Sequence, residues 1–181
     1  MTAMNPPAVT LTQVHSPDQI AAAEELMREY TQWVMPLVED SDQAPTYAGL
    51  EQELASLPGP YAPPNGSLRL AMLGDRAAGC VALKRVDATT AELKRMYVRP
   101  EFRGRSVGTQ LVTALIRDAR QLGYQRIILD SLNIMAHAHQ IYRSVGFRPT
   151  QAPADFPERL HSIVVFMALE LGPSSIDVTE H

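Results

Sequence analysis

The hydrophobic pattern of the first third of the chain predicts one strand followed by two helices. Residues 8–14 alternate between apolar and polar side chains, which is typical of a strand. Ser16 is a predicted N-cap, with Pro17 at the first helical position. Apolar residues then recur at helical spacing to about residue 34, namely Ile20, Ala23, Leu26, Met27, Tyr30 and Val34. A polar loop leads to a second predicted helix at about residues 46–56.

Strand patterns dominate the middle of the chain. Three of them lie at residues 68–73, 77–86 and 91–98, and the turn residues Gly74 and Asp75 join the first two as a hairpin. An amphipathic helix follows and ends at Gly123, a predicted left-handed C′ residue. A strand at 126–132, a helix at 136–145 and final strands at 147–150 and 160–171 complete the order. This order predicts an α/β chain with a mixed sheet and helices on both faces.

Composition favours a single domain over residues 1–181, with frayed tails at about 1–7 and 172–181. Apolar residues are 45% of the chain and charged residues 20%, which supplies enough apolar material for a core. The apolar runs are too short to span a bilayer, and the N-terminus lacks the pattern of a signal peptide. A single cysteine fits a reducing compartment, so we expect a cytoplasmic protein that does not bind membranes.

The net charge of −4 makes the chain a poor match for nucleic acid. Five of its sixteen Lys and Arg residues nevertheless lie close together: Lys94, Arg95, Arg99, Arg103 and Arg105. Such a cluster is either a solvated charged face or a local site whose field attracts a small polyanion.

The junction between the 91–98 strand and the following helix has the chemistry of an anion site. A helix N-terminus presents unpaired N–H groups and a partial positive charge. Gly104 and Gly108 let a ligand approach the backbone, and Arg103 and Arg105 supply charge-assisted donors. An ordinary helix start with a glycine turn is the alternative interpretation. The run contains neither the Gly-Lys-Ser/Thr of a P-loop nor the GxGxxG of a Rossmann fingerprint.

The run RPEFRGRSVGTQL resembles motif A of the GNAT superfamily of N-acetyltransferases, whose signature is Q/R-x-x-G-x-G/A. Arg103 matches the first position and Gly108 the last, whereas Ser106 stands where the middle glycine usually lies. The resemblance continues upstream through ELKRMYV and downstream through LDSL and IYRSVGF. It covers about residues 68–150.

This resemblance implies a GNAT acyltransferase fold and an N-acetyltransferase that uses acetyl-coenzyme A (acetyl-CoA). In this family the CoA pyrophosphate sits on the backbone of the motif, which here comprises Arg103, Gly104, Arg105, Ser106, Val107, Gly108 and Thr109. The pantetheine arm lies between two splayed parallel strands, here 91–98 and 126–132, and pairs with the backbone of Met96 and Val98. A backbone N–H of Tyr97 or Val98 would meet the acetyl oxygen. The resemblance also favours a homodimer.

Tyr142 is the predicted proton donor to the departing sulfur. It matches a tyrosine whose hydroxyl lies near the CoA sulfur in similar enzymes, and a tyrosine of the core is the alternative interpretation. Met135 stands where many members carry a cofactor-binding asparagine, so that contact is not carried over.

Glu92 is the predicted general base, since some members use a glutamate at about this place, often through water. Strict strand alternation would put Glu92, Lys94, Met96 and Val98 on one side of the sheet. A carboxylate paired with Lys94 or Arg69 is the alternative interpretation.

Three other reactive side chains are expected to take no part. Cys80 lies within a hairpin strand, which predicts an inert core thiol rather than an acetylated nucleophile. His137 and His139 are two residues apart on a helix and face different ways. They make a poor metal pair and are predicted at the surface, so we expect no metal.

The family's acceptor pocket corresponds to the first two helices, with Trp33, Tyr47, Tyr61 and the acidic loop of Glu39, Asp40 and Asp42. That loop either attracts a cationic amine or is simply solvated. The acceptor is a small-molecule amine or a protein amine. We expect direct transfer of the acetyl group in a ternary complex. The alternative function is a catalytically silent acyl-CoA-binding sensor or interaction module.

Overall fold

One seven-stranded sheet, of order β1-β2-β3-β4-β5-β7-β6, organises the chain in a computed structural model. The structure describes residues 8–38 and 49–172. The strands are β1 (Val9–Gln13), β2 (Ser67–Leu73), β3 (Arg76–Arg85), β4 (Thr90–Val98), β5 (Arg126–Leu132), β6 (Arg148–Pro149) and β7 (Val164–Glu170). The helices are α1 (Pro17–Val38), α2 (Leu50–Ala55), α3 (Val107–Gln121) and α4 (Ala136–Ser144). The β4–β5 pair is parallel and the other neighbours are antiparallel.

Helices cover both faces of this sheet, as predicted. On one face α3 packs on β2, β3 and β4 and also touches α4. On the other face α1 packs on β3 and β4. Each face buries its own apolar cluster, one around Leu111 and Leu115 of α3 and one around Leu26 of α1 and Leu54 of α2. No helix within residues 8–38 and 49–172 is long and apolar enough to cross a membrane.

The predicted helix and turn boundaries are largely confirmed. Ser16 caps α1, because its Oγ accepts from the Gln19 N–H at 3.3 Å and its own N–H donates to the Gln19 side chain at 3.1 Å. Gly123 follows α3 with a φ of 85°. The second predicted helix is described only as α2, and residues 46–48 lie outside the described part. β7 begins later than predicted because Glu158–Leu160 form a 3-10 turn.

A β-bulge in β4 changes the direction of its side chains. Arg95 and Met96 together oppose the single residue Val81, and Arg95 has a φ of 55°. Before the bulge Leu93 packs on the α3 face, and after it Met96 and Val98 pack on that same face. The predicted common side for Glu92, Lys94, Met96 and Val98 is therefore wrong. The extra residue places Glu92 and Lys94 on the opposite, α1 and α2 face.

A buried ionic network attaches α3 to β2. Asp118 of α3 is 5% exposed and accepts hydrogen bonds from Ser67 Oγ at 2.6 Å and Arg69 Nε at 2.7 Å. A second Arg69 nitrogen bonds the other carboxylate oxygen, so the ion pair is bidentate. This network holds the helix whose N-terminus carries the predicted anion site.

Candidate active site

A cleft opens where β4 and β5 separate. In the described structure the two strands pair only over Thr90–Glu92 and Arg126–Ile128. Beyond these pairs β5 continues along β7, and β4 continues along β3. The gap forms a cavity of about 460 Å³, lined by Met96, Tyr97 and Val98 of β4 and by Ser131 of β5. This volume is typical of a small-molecule site.

One end of the cleft is a cradle formed by Arg103 to Thr109, whose backbone amides are free from Gly104 onwards. The Arg103 N–H, which was predicted to belong to the set, donates instead to the Pro100 carbonyl at 3.2 Å. The first hydrogen bond of α3 runs from the Gln110 N–H to the Ser106 carbonyl at 3.0 Å. Within the described part of the chain, no backbone N–H from Gly104 to Thr109 donates to a protein acceptor. Gly104 and Ser106 have left-handed φ values of 76° and 59°, which turn successive N–H groups into an anion-binding concavity. Of the seven predicted cradle residues, Arg103 to Thr109, only Arg105 does not line the cleft.

Tyr142 lies in the wall that α4 contributes to the cleft. It is 5% exposed, and its ring packs tilted on Phe147 at 5.8 Å. Burial raises the pKa of the Tyr142 phenol well above its usual range, and the nearby Tyr30 and Asp130 raise it further. The side chain therefore stays protonated and can serve as a hydrogen-bond donor to a group in the cleft.

Comparison with known proteins identifies this arrangement. The model of the Acetyltransferase (GNAT) family matches residues 21–147. The chain belongs to the GNAT acetyltransferase family. It is an acetyl-CoA-dependent N-acetyltransferase, and acetyl-CoA is its cosubstrate.

Relatives cover the GNAT chain to different extents. An uncharacterized N-acetyltransferase of Schizosaccharomyces pombe is 33% identical over 172 residues, which are 93% of this chain and 99% of that protein. N-acetylaspartate synthetase of Danio rerio is 32% identical over 109 residues, which are 59% of this chain and 39% of that protein. The solved structure of the PaiA N-acetyltransferase of Thermoplasma acidophilum in complex with coenzyme A has a TM-score of 0.69 and 17% identity. That match covers 90% of this chain and 99% of the other and shows the common fold.

The residues of the cleft fit a CoA molecule. The free amides of the cradle suit a pyrophosphate, and the long cavity beside β4 suits an arm of narrow cross-section. A Cβ on Gly108 would lie 2.8 Å from Ile141 Cδ1 and 2.9 Å from Met96 Cε. Glycine at this position therefore keeps the floor of the cleft open between the cradle and α4.

Glu92 lies outside the residues that line the cleft. Its carboxylate is 3.2 Å from Lys94 Nζ, which is the ion pair that the sequence left open as the alternative. The bulge at Arg95 puts both side chains on the α1 and α2 face, opposite Met96 and Val98. If Glu92 takes part in proton transfer, it must therefore do so from the α1 and α2 face of the sheet, opposite Met96 and Val98.

The prediction that His139 lies at the surface is wrong. His139 is 4% exposed and its Nε2 is 3.1 Å from Ser131 Oγ, whereas His137 is exposed as predicted. Helical spacing puts His139 one turn before Tyr142 on the buried face of α4, turned towards β5. Ser131 was not predicted as a site residue. Its only signal in the sequence is its place on the same face of β5 as the buried Ile127 and Leu129.

The predicted acceptor residues divide into three groups. Trp33 lines the cleft and is 44% exposed. Tyr61 is instead buried in the core, where its hydroxyl donates to Glu53 at 2.5 Å. Tyr47 and the acidic residues at 39, 40 and 42 lie outside the described part of the chain.

Cys80 is inert core, as predicted. It is fully buried on the α1 face, and its thiol donates to the Arg95 carbonyl at 3.3 Å. Burial raises the pKa of the Cys80 thiol to about 12, so the reactive thiolate is disfavoured. In the part of the chain that the structure describes, no group of three His, Cys, Asp or Glu side chains is placed to hold a metal ion.

Proposed function

We propose that this enzyme transfers the acetyl group directly to a primary amine in a ternary complex. The observation that carries the proposal is the continuity of the cleft. The cradle at the start of α3, the free edge of β4 and the Tyr142 ring all line one cavity, together with Tyr30 and Trp33 of α1. Acetyl-CoA and the amine can therefore be bound in one cavity at the same time, which makes the attack of the amine on the thioester effectively unimolecular.

In this proposal Gly104 to Thr109 bind the CoA pyrophosphate through their backbone N–H groups, and Arg103 and Arg105 add the charge of their side chains. The pantetheine arm pairs with the backbone of Met96 and Val98 along the free edge of β4. Arg99 N–H donates to Ala78 of β3 at 2.9 Å, and backbone groups alternate in direction along a strand. The Val98 N–H consequently points into the cleft, which favours Val98 over Tyr97 as the donor to the acetyl oxygen.

Bound acetyl-CoA supplies the acetyl thioester. Tyr142 donates a proton to the sulfur as the carbon–sulfur bond breaks, and the Val98 N–H stabilises charge on the acetyl oxygen. Glu92 takes the proton that the amine loses, through a water, from the α1 and α2 face. The amine thus loses one proton to Glu92 while sulfur gains one from Tyr142, and proton exchange with water returns both side chains to their starting states. Within the described residues the cleft lining contains no cysteine, which supports direct transfer.

The acceptor is a primary amine of a small molecule or of a protein, and it enters past Trp33. The half-exposed indole and the neighbouring Tyr30 and Tyr97 rings form an aromatic wall, with ring centroids 6.3 Å and 5.9 Å from Tyr30. One relative is named N-acetylaspartate synthetase, so amino acids belong in the set of amines to be tested.

A thiol-release assay with acetyl-CoA and a panel of amines tests this proposal. The panel contains amino acids, polyamines, arylalkylamines and peptide N-termini. We expect acetyl-CoA to raise the melting temperature and at least one amine class to release CoA thiol at saturating concentrations. Tight cofactor binding without thiol release for any class would favour the silent acyl-CoA sensor instead. A double-reciprocal plot with parallel lines would contradict a ternary complex.

A further inference from the structure

Ser131 and His139 form a hydrogen-bonded pair inside the cleft wall that the reaction above does not use. Ser131 lies near the end of β5, on the α3 and α4 face, and its side chain lines the cleft. His139 of α4 is buried behind it, with Nε2 3.1 Å from Ser131 Oγ. A histidine that is 4% exposed beside a hydroxyl of the cleft fixes the direction of that hydroxyl.

The direction of the hydrogen bond depends on the tautomer of the ring. Burial, and then the charge of Arg143, lower the pKa of His139 below its ordinary value, so the imidazole is neutral at neutral pH. A neutral imidazole carries one ring hydrogen, so Nε2 either donates to Ser131 Oγ or accepts from it. We assign the hydrogen to Nδ1, so that Nε2 accepts and Ser131 donates its hydroxyl hydrogen.

The oxygen lone pairs of Ser131 are consequently turned towards the cleft. Most of the cleft lining at and after the start of α4 is apolar, including Met135, Ala138 and Ile141, with His137 and Tyr142 as its polar members. A hydroxyl oxygen in such a wall gains most from a ligand that brings an N–H donor. Among the parts of CoA, the pantetheine arm carries amide N–H groups between the pyrophosphate and the sulfur. The amine acceptor approaches from α1 and so from the other side of the sheet.

We infer that Ser131, oriented by His139, accepts a hydrogen bond from a pantetheine amide N–H and so positions the acyl-bearing arm in the cleft. Ser131 is a binding residue in this inference and His139 is a positioning residue. The inference rests on the proposed path of the arm along β4. It separates recognition of the arm, by Ser131, from recognition of the nucleotide and pyrophosphate, by the cradle.

Calorimetric titration with two ligands tests this separation. CoA carries the arm, whereas 3′-phospho-ADP carries the same nucleotide and pyrophosphate without it. We expect Ser131→Ala to weaken CoA binding about fivefold, which is the range for one hydrogen bond, and to change 3′-phospho-ADP binding less than about twofold. Ser131→Thr keeps the hydroxyl and should bind CoA as the unchanged protein does. His139→Leu should weaken CoA about threefold, again with little effect on 3′-phospho-ADP.

Each contrary result has a separate meaning. Equal affinity of Ser131→Ala and the unchanged protein for CoA would overturn the inference, as would an equal loss for both ligands. If Ser131→Ala unfolds, the comparison of Ser131→Thr with Ser131→Val decides instead, because threonine and valine have the same shape and differ in the hydroxyl. A protein that binds 3′-phospho-ADP but not CoA would refute the proposed path of the arm. Failure to bind either ligand would refute the proposed cradle.

Discussion

Arg103 Nε donates a hydrogen bond to the Val98 carbonyl at 3.0 Å, so the first residue of the cradle also fixes the end of β4. The Arg103 guanidinium lies 5.4 Å from the centroid of the Trp33 ring on α1. One side chain therefore joins the cradle, the strand edge and the proposed acceptor entrance. The sequence predicted a phosphate contact for Arg103, and the structure adds a role in holding these three walls together.

Arg103→Lys should weaken CoA binding although it keeps the charge. The planar guanidinium of Arg103 can lie against the Trp33 ring while its Nε donates to the Val98 carbonyl. A lysine ammonium has a single nitrogen and cannot make both contacts in this way. We expect a loss of about fivefold to tenfold in calorimetric affinity, which corresponds to about 1–1.4 kcal/mol, the range of one ordinary hydrogen bond. Arg105→Lys is the matched comparison, because Arg105 is exposed and does not line the cleft, and it should lose less than about threefold. Equal losses in the two variants would contradict the bridging role of Arg103.

Tyr142→Phe should lower kcat with little change in acetyl-CoA affinity. The phenol is the proposed proton donor to sulfur, and general acid catalysis contributes about a hundredfold or more. The ring packing on Phe147 is kept in phenylalanine, so the cleft should retain its shape. Steady-state rates with a verified acceptor and calorimetric titration of CoA measure the two effects. Tyr124→Phe is the control, since its hydroxyl donates to the Asn65 carbonyl at 2.6 Å away from the cleft. Unchanged kcat in Tyr142→Phe would remove Tyr142 from the proposed role.

The order of elements could be read from the sequence because the hydrophobic periods are regular in most of them. Alternation predicted β1, hairpin and buried-strand patterns predicted β2 to β5, and helical spacing predicted α1 and α3. The cradle was predicted from Gly104, Gly108 and the resemblance of the run to motif A of the GNAT superfamily. The structure adds a backbone reason for the usual glycine at position 106, because Ser106 has a φ of 59°, which a side chain rarely adopts.

The faces of β4 and α4 could not be read in the same way. The bulge at Arg95 adds one residue, and a single inserted residue reverses every later side chain of a strand. No local pattern marks that insertion, so Glu92 was placed beside Met96 in the prediction. His137 and His139 face different ways on α4, and the sequence alone does not tell which of the two faces the sheet. The contact of His139 with Ser131 joins two elements that are eight residues apart in the chain.

Glu92→Gln should lower kcat/KM at neutral pH. The amide keeps the size of the side chain and a hydrogen-bond acceptor for Lys94, but it takes no proton from the amine. We expect a loss of about tenfold or more at neutral pH if Glu92 is the general base. Glu53→Gln is a comparison on the same side of the sheet, where Glu53 pairs with Arg95. A kcat/KM of Glu92→Gln equal to that of the unchanged protein would assign Glu92 to the Lys94 ion pair alone.

Gly108→Ala should obstruct the cleft without unfolding the chain. Gly108 lies in the first turn of α3, where alanine is the better helix former by about 1 kcal/mol. The added methyl would press on the tips of Ile141 and Met96, both of which line the cleft and can shift into it. We expect about a tenfold loss of CoA affinity with a melting temperature close to that of the unchanged protein.

Gly104→Ala is the matched comparison for Gly108→Ala. No atom lies within 4 Å of a Cβ added at Gly104, but its φ of 76° makes any side chain strained. This variant should therefore lose about 1 kcal/mol of stability, measured by denaturant unfolding. If Gly108→Ala lost stability but kept its affinity for CoA, the added methyl group would not obstruct the cleft.

Asp118→Ala should be the most destabilising of these changes. It would leave the Arg69 guanidinium without its acceptor, although Ser67 Oγ would keep Gln13 Oε1 at 3.0 Å as a partner, and breaking one partner of a buried pair costs about 3–5 kcal/mol. The free energy of unfolding, from denaturant titration, measures this loss. The double variant Arg69→Met with Asp118→Leu should recover most of it, because both charges leave the core together and apolar volume replaces them. Arg28→Ala, at an exposed pair with Glu24 and Glu51, should change little. If the double variant were as unstable as Asp118→Ala, the network would hold α3 on β2 through its geometry rather than through the pairing of its charges.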